Sequence, residues 1–577
     1  MSEGCDLYVK DEGSWRKVIS PYIKKDGVWL EIDQLYSKAN GNWDLLFVSG
    51  GAGWRMLFGA GTAGADRVYT SQRKGTPLNL LSDGNLVSAV NSLPQGSSFR
   101  LCTLFRITPD GEVVWQRTAD PTGTTSYLDK TTETVLVDSN DNIYQLGDAL
   151  IPNGNNSNHN TWVQSVDQDG VYRFDSTESM SLYGGMTNGF GGGQSFHGGM
   201  ITDAVFIDTN ETLLQIEGAN AYSFGYPTQQ FMTACSTVSA QTGVTTSSRF
   251  MGSSGGTGNA NGHNYGIKIC KLGDWVYVHT DNGAGHKCSS PNAPCYNIVA
   301  IYRRSTNGET IGPGGFGIAM QNGAGPYTAF PFPWYFPGFV FTNGDETDPY
   351  PIMSIAATTG NDTTTPLPRS RQYFWWWDAA LTNIGRGFYV TSADFNFYSG
   401  NPSSVVWDGD HVYVVCGHNE SRCTIVKFHA TTGQLLNENI LTVVNGNDRI
   451  ATSTDGQISM IVGDEFIYLQ SETDRTDQTG VSHENQVVLF KFPKDMDKGH
   501  GIYGEYQYVP RSQLSGNPTQ VVSTNINPLS GSNVNWGGPG GSYYWPIPTT
   551  MTNASQVENT TPTVGIVTHS LEKQTKL

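Results

Sequence analysis

Apolar and polar residues alternate in short runs along most of this chain, and Asp-Gly, Asn-Gly and similar pairs punctuate the runs. That is the signature of half-buried strands joined by tight turns. It is plainest at the start, where Tyr8-Val-Lys10-Asp-Glu-Gly13-Ser-Trp15 is followed by Tyr22-Ile-Lys24-Lys-Asp-Gly27-Val-Trp29 and Tyr36-Ser-Lys38-Ala-Asn-Gly41-Asn-Trp43. Each Tyr, Lys, Gly and Trp recurs after 14 positions, so one small unit is repeated in register. Asp26-Gly27 and Asn40-Gly41 suit two-residue hairpin turns, whose positions must accept positive φ. The pattern predicts three tandem hairpins from Asp6 to Val48, with Tyr and Trp along one face. Lone hairpins are marginal in water. Tyr8, Trp15, Tyr22, Trp29, Tyr36 and Trp43 are therefore expected to be buried at a contact with the body or another chain.

From about 54 to 505 a longer sentence recurs, made of two successive hairpins. Leu101–Ile107, the turn Asp110-Gly111 and Val113–Arg117 give its clearest second half. Further second-hairpin turns fall near 170, 243, 308, 385, 433 and 496, spaced by 48 to 77 residues. First hairpins precede most of them, as in Thr134–Tyr144, Ala204–Leu214, Ile269–Tyr277, Val405–Tyr413 and Ile458–Tyr468. Two hairpins make four strands, the size of one propeller blade. The predicted fold is all-β: a seven-bladed β-propeller over 51–507, preceded by the hairpin module at 1–50 and followed by an extended C-terminal arm at 508–577. A sandwich or β-helix array is the alternative, since the spacing is uneven. The last ten residues could form a short helix at most.

Some insertions stand out. Gly184–Met200 and Gly252–Gly266 are glycine-rich, and Pro326–Phe341 reads PYTAFPFPWYFPGFVF. Phe332, Trp334, Tyr335 and Phe336 are too apolar for a solvated loop and are expected at an interface.

Composition narrows the class. Gly supplies 68 of 577 residues, about 12 % against about 7 % ordinarily. Charged residues are 15 %, against about 25 %. Lys and Arg total 34 against 52 Asp and Glu, a net charge of −18. No basic stripe offsets it, which argues against nucleic acid. The N-terminus lacks the basic and apolar regions of a secretory signal, and no run approaches a membrane-spanning helix. Eight cysteines show no metal-ligand spacing. They are expected to be buried free thiols, with Cys288–Cys295 and Cys416–Cys423 the best disulfide candidates.

Candidate chemistry is sparse. Gly59-Ala-Gly61-Thr-Ala-Gly64 matches a dinucleotide fingerprint, but no helix pattern follows it. Asp138-Ser-Asn-Asp141-Asn resembles half a calcium loop, yet sits where a hairpin turn is expected. Thr108–Trp115 is an imperfect match to the Asp-box of sialidases. Phosphate loops, zinc-protease motifs and nucleophile elbows are missing. No catalytic residue, cofactor or metal is predicted, and the expectation is that the chain is not an enzyme.

The tandem Y-x-K-x-x-G-x-W phrase resembles a repeat of structural proteins of tailed bacteriophages, especially tail fibres and adhesins. The body's turn phrase is similar to that of quinoprotein-like propellers, a likeness of fold alone. The phage resemblance implies a virion structural protein made in the host cytoplasm, a tail appendage serving attachment or assembly. Its implied partners are other virion proteins, further copies of itself as a homo-oligomer, and a host-surface glycan or receptor, without nucleic acid or membrane insertion. Two alternatives are a propeller depolymerase acting on host envelope polysaccharide and a lectin-like receptor binder.

Overall fold

Seven four-stranded meanders dominate the computed structural model, one after another along the chain. Described are the strands of the three N-terminal hairpins, the body from 53 to 514 apart from its longer connections, and five short strands between 520 and 574. The connections outside the description are 60–66, 71–74, 95–99, 120–128, 154–155, 182–195, 225–227, 253–263, 283–295, 308–310, 322–337, 360–369, 392–401, 420, 445–447, 451–457 and 477–481. Side chains of the hairpins and of the five short strands also lie outside it.

The blades span 67–119, 129–181, 196–252, 264–321, 338–391, 402–443 and 449–493, each antiparallel from its innermost strand outward. The seventh takes its outermost strand from the other end of the body: Trp54–Phe58 pairs with Ser482–Pro493 in the register Val487↔Phe58 to Lys491↔Trp54. The ring is therefore closed by pairing the start of the propeller against its end. A turn near 496 was expected to close this blade, and it does not. After Pro493 the chain leaves the seventh blade, and Gly501–Tyr503 with Tyr506–Pro510 joins the edge of the sixth. The fifth blade's turn also lies earlier than expected: Leu381 takes the positive φ of 58° and Gly385 is already in the strand Ile384–Thr391.

One apolar cluster fills each of the seven blade-to-blade interfaces. The run Phe374-Trp375-Trp376-Trp377 shows why such a sequence is a strand and not a loop. Successive side chains point to opposite faces, so Trp375 and Trp377 pack toward the fourth blade while Phe374 and Trp376 pack toward the sixth. A strand covered on both faces needs no polar alternation.

A second device ties the blades at the end of the tight turns. The carbonyl two residues before the left-handed turn residue is gripped from the preceding blade. Pro109 O accepts from Trp54 Nε1 at 2.9 Å and Lys491 Nζ at 2.7 Å. Gln168 O accepts from Trp115 Nε1 at 2.9 Å and Arg106 Nη1 at 2.7 Å. Ala379 O accepts from the Tyr277 hydroxyl at 2.6 Å and Arg303 Nη1 at 3.0 Å. The indole of Trp54 then lies against Gly111, which has φ 82° and where a Cβ would come within 3.2 Å of the ring. Gly111→Ala is expected to cost the left-handed backbone term of about 1–2 kcal/mol and to displace Trp54 as well. Gly409→Ala, at φ 54° with nothing within 4 Å, should cost the backbone term alone. Denaturation midpoints of the two variants separate the contributions.

The hairpin module forms as the repeat predicts, as three separate two-stranded sheets. Lys10 faces Trp15, Lys24 faces Trp29 and Lys38 faces Trp43 in one shared register. The burial of the six aromatics, from Tyr8 to Trp43, lies outside the described residues.

Among the described cysteines, Cys102, Cys235, Cys270 and Cys423 are free thiols. Cys416–Cys423, one of the two candidate bridges, does not form: Cys423 is free, and the register pairs it with Gly417 and Cys416 with Thr424. Cys288 and Cys295 lie outside the described residues. Within the last ten residues, for which a short helix was the most allowed, Lys573-Gln574 is a strand paired to Phe58 and Leu57.

Candidate functional face

Because every blade is an antiparallel meander, its connections alternate between two ends of the barrel-like ring. The links from first to second strand, and from third to fourth in the first six blades, are short, the longest being 343–351 in the fifth. Asp138 shows how they form: its N–H donates to Asn142 O at 3.0 Å, while its carboxylate accepts from the amides of Asn140 at 2.9 Å and Asn142 at 2.8 Å. Asp141, at φ 60°, accepts from the Ser82 amide of the first blade at 2.8 Å. The half calcium loop is therefore turn chemistry, as its position suggested. The links from second to third strand, and from one blade to the next, leave from the opposite end. The strands that flank 182–195, 253–263, 283–295, 322–337, 360–369 and 392–401 all end or begin there.

The N-terminal module joins the turn end. Trp54 sits against the Pro109 carbonyl of a tight turn, and only 49–53 separate it from the last hairpin strand, which ends at Val48. Five residues and their flanking bonds reach about 20 Å at full extension. The chain thus passes from the repeat into the ring at the turn end, opposite the end from which those segments leave.

Going from the turn end toward the long connections, the apolar clusters give way to a belt of buried polar side chains. Four of them bind a backbone amide on the innermost strand of the next blade. Glu472 Oε1 accepts from Thr70 N at 3.2 Å, Asn91 Oδ1 from Thr132 N at 2.7 Å, Asp148 Oδ1 from Ile201 N at 3.0 Å, and Asp203 Oδ2 from Ile269 N at 3.0 Å. A hydrogen bond to a neutral acceptor such as Asn91 contributes about 0.5–1.5 kcal/mol and one to a charged acceptor about 1.5–3 kcal/mol, so the belt is a third tie between blades. Gln470 extends it, donating to Ala89 O at 2.9 Å and accepting from the Ser88 hydroxyl at 2.8 Å.

Two ion pairs lie in the belt. Lys130 Nζ is 2.8 Å from Asp175 Oδ2, with side chains 2 % and 0 % exposed. Trp162 Nε1 donates to the other carboxylate oxygen at 2.7 Å, and its ring lies 4.8 Å from the ammonium. Lys268 Nζ is 3.4 Å from Asp203 Oδ1. Burial pushes the Asp203 carboxyl up, and Lys268 with the Ile269 amide only partly restrains it. The thiol of Cys270 is pushed up by burial and by the charge of Asp203.

Sequence reasoning named none of these belt residues. A signal existed: Leu146-Gly-Asp148-Ala and Ile201-Thr-Asp203-Ala-Val set a lone acid inside an apolar strand run. The aromatic loop residues Phe332, Trp334, Tyr335 and Phe336 belong to the connection 322–337 and lie outside the described residues. The glycine fingerprint at 59–64 is followed by the strand Arg67–Tyr69, so the helix a dinucleotide site requires is replaced by a strand.

No protein-family model matches the chain, and no curated protein matches it. Solved structures do. The phage phi92 endosialidase aligns at 9 % identity over 79 % of this chain and 71 % of that one, with a TM-score of 0.34. A neuraminidase-like protein of A/flat-faced bat/Peru aligns at 9 % identity over 78 % of this chain and 98 % of its own, with a TM-score of 0.29. A glucose dehydrogenase aligns at 11 % identity over 74 % and 96 %, with a TM-score of 0.27. Likenesses this distant assign no chemistry to this chain. They do overturn the expectation that it is not an enzyme, since the first two are an endosialidase and a neuraminidase-like protein. Missing motifs reflect how propellers assemble their sites, from loops far apart in sequence.

Proposed function

We propose that this protein is a tail appendage of a tailed bacteriophage that presents its long connections to host envelope polysaccharide and cleaves it. The observation that carries this reading is the opposition of the two ends. The tandem repeat, which resembles phage structural proteins, joins the turn end, while the extended connections leave from the other. An appendage needs that polarity, with one end for the particle and one for the cell. Other virion proteins and further copies of the chain would meet the repeat at the first end, and the glycan would meet the second.

Glycosidic cleavage draws on a pair of carboxyl groups, one kept protonated to serve the leaving oxygen. Purified protein incubated with isolated envelope polysaccharide is expected to release reducing ends steadily, in proportion to the amount of folded protein. Tight binding without release would leave the lectin-like alternative standing and overturn the catalytic reading.

A further inference from the structure

After the sixth blade the C-terminal arm travels backward around the rim and adds a strand to one blade after another. Tyr506–Pro510 pairs with Asn439–Val443 of the sixth blade, and Gln520–Ser523 with Phe388–Thr391 of the fifth. Thr550–Asn553 pairs with Arg249–Gly252 of the third, and Gln556–Thr560 with Thr177–Ser181 of the second. Ile566-Val567 then reaches Thr118-Ala119 of the first, and Lys573-Gln574 reaches the closing strand of the seventh. Every pairing is antiparallel, and every one uses the last residues of the blade's outermost strand. The fourth blade breaks the series: among the described residues its sheet holds four strands, with Ile311–Gln321 outermost.

We propose that the outer edge of the fourth blade, at Ile318–Gln321, accepts one more antiparallel strand, and that the donor is this chain's own arm between Ser523 and Thr550. The path requires the arm to pass this blade, because it is anchored on the fifth before and on the third after. Chain length allows the stop. Single-blade steps elsewhere take nine residues (511–519), two (554–555), five (561–565) and five (568–572). The passage from fifth to third takes twenty-six (524–549). The acceptor also fits. Pro313 and four glycines occupy the first part of Ile311–Gln321, whereas Ile318-Ala-Met-Gln321 contains neither residue. A run of that composition left as a bare edge invites pairing with foreign chains. Within the passage, Ser532-Asn-Val-Asn-Trp536 is free of Pro and Gly and alternates as a strand does. It lies eight residues (524–531) past the fifth-blade anchor, inside the range of the observed steps.

Hydrogen exchange on the full-length protein tests this. The amides of 318–321 are expected to be as protected as those of Arg249–Gly252 and Phe388–Thr391. Replacing 532–536 with the same number of Gly and Ser residues should speed their exchange about tenfold or more, with the third- and fifth-blade edges unchanged. Val534→Pro, which removes one backbone donor, should act in the same direction. Exchange at 318–321 that is already fast in the unaltered protein would overturn the proposal. Protection that survives both changes would overturn it too, and its loss on dilution would identify a second copy as the occupant.

Discussion

Removing residues 1–58 is expected to abolish the folded propeller, whereas removing 1–48 leaves it intact. The ten residues between these end points decide the outcome, because Trp54–Phe58 is the outermost strand of the seventh blade. Trp54, Met56 and Phe58 are 3 %, 4 % and 0 % exposed and belong to the cluster joining the seventh blade to the first. Losing three such side chains removes roughly 5–9 kcal/mol of apolar burial. It also strips the grip on Pro109 O and leaves the edge of Ser482–Pro493 bare. Net stabilities of about 5–15 kcal/mol do not survive a loss of that size. The 49–577 fragment keeps all of this, so its circular dichroism and unfolding transition should match the full chain. If the repeat is the anchor, that fragment should also fail to enter particles. A well-folded 59–577 fragment would mean the ring closes without the strand, and normal incorporation of 49–577 would remove the anchoring role from the repeat.

The ring itself was legible in the sequence because its blades are built from local contacts. Hairpin turns such as Asp110-Gly111 and Asp169-Gly170 announce themselves through residues that tolerate positive φ, and the strands beside them alternate. What failed to show was non-local. Trp54–Phe58 reads as one more strand, and nothing in its composition says that its partner lies 429 positions away at Val487. The arm was legible as extended but not as a series of added strands, because each pairing uses two to five residues whose side chains carry no shared pattern. The turn at 496 misled for a related reason. Its Asp-rich sequence is a turn, held by Asn439 Nδ2 donating to Met496 O at 2.6 Å, but it feeds the sixth blade's edge and not a hairpin of the seventh. The polar belt escaped notice because Asp148 and Asp203 act on amides of a neighbouring blade about fifty to seventy positions away.

The pair Lys130–Asp175 tests whether the belt's acids are structural or reactive. Neither partner has contact with water to fall back on. Lys130→Met leaves a buried carboxylate with Trp162 Nε1 as its remaining side-chain partner among those described, and Asp175→Asn leaves a buried ammonium facing an amide. Breaking a buried pair on one side costs about 3–5 kcal/mol, while replacing both sides by neutral groups of similar volume is often close to neutral. Each single variant is therefore expected to unfold at markedly lower denaturant, and the double variant Lys130→Met with Asp175→Asn to recover most of the difference. Singles within about 1 kcal/mol of the parent, the range of an exposed pair, would show that water reaches the site. The double variant then separates two roles that stability alone confuses. Both carboxylate oxygens of Asp175 bind partners within the second blade and the side chain is 0 % exposed, so it meets no substrate in this arrangement. The refolded double variant should release reducing ends from polysaccharide at the parent rate per folded molecule. A stable double variant without turnover would move Asp175 from the blade's framework into the reacting site.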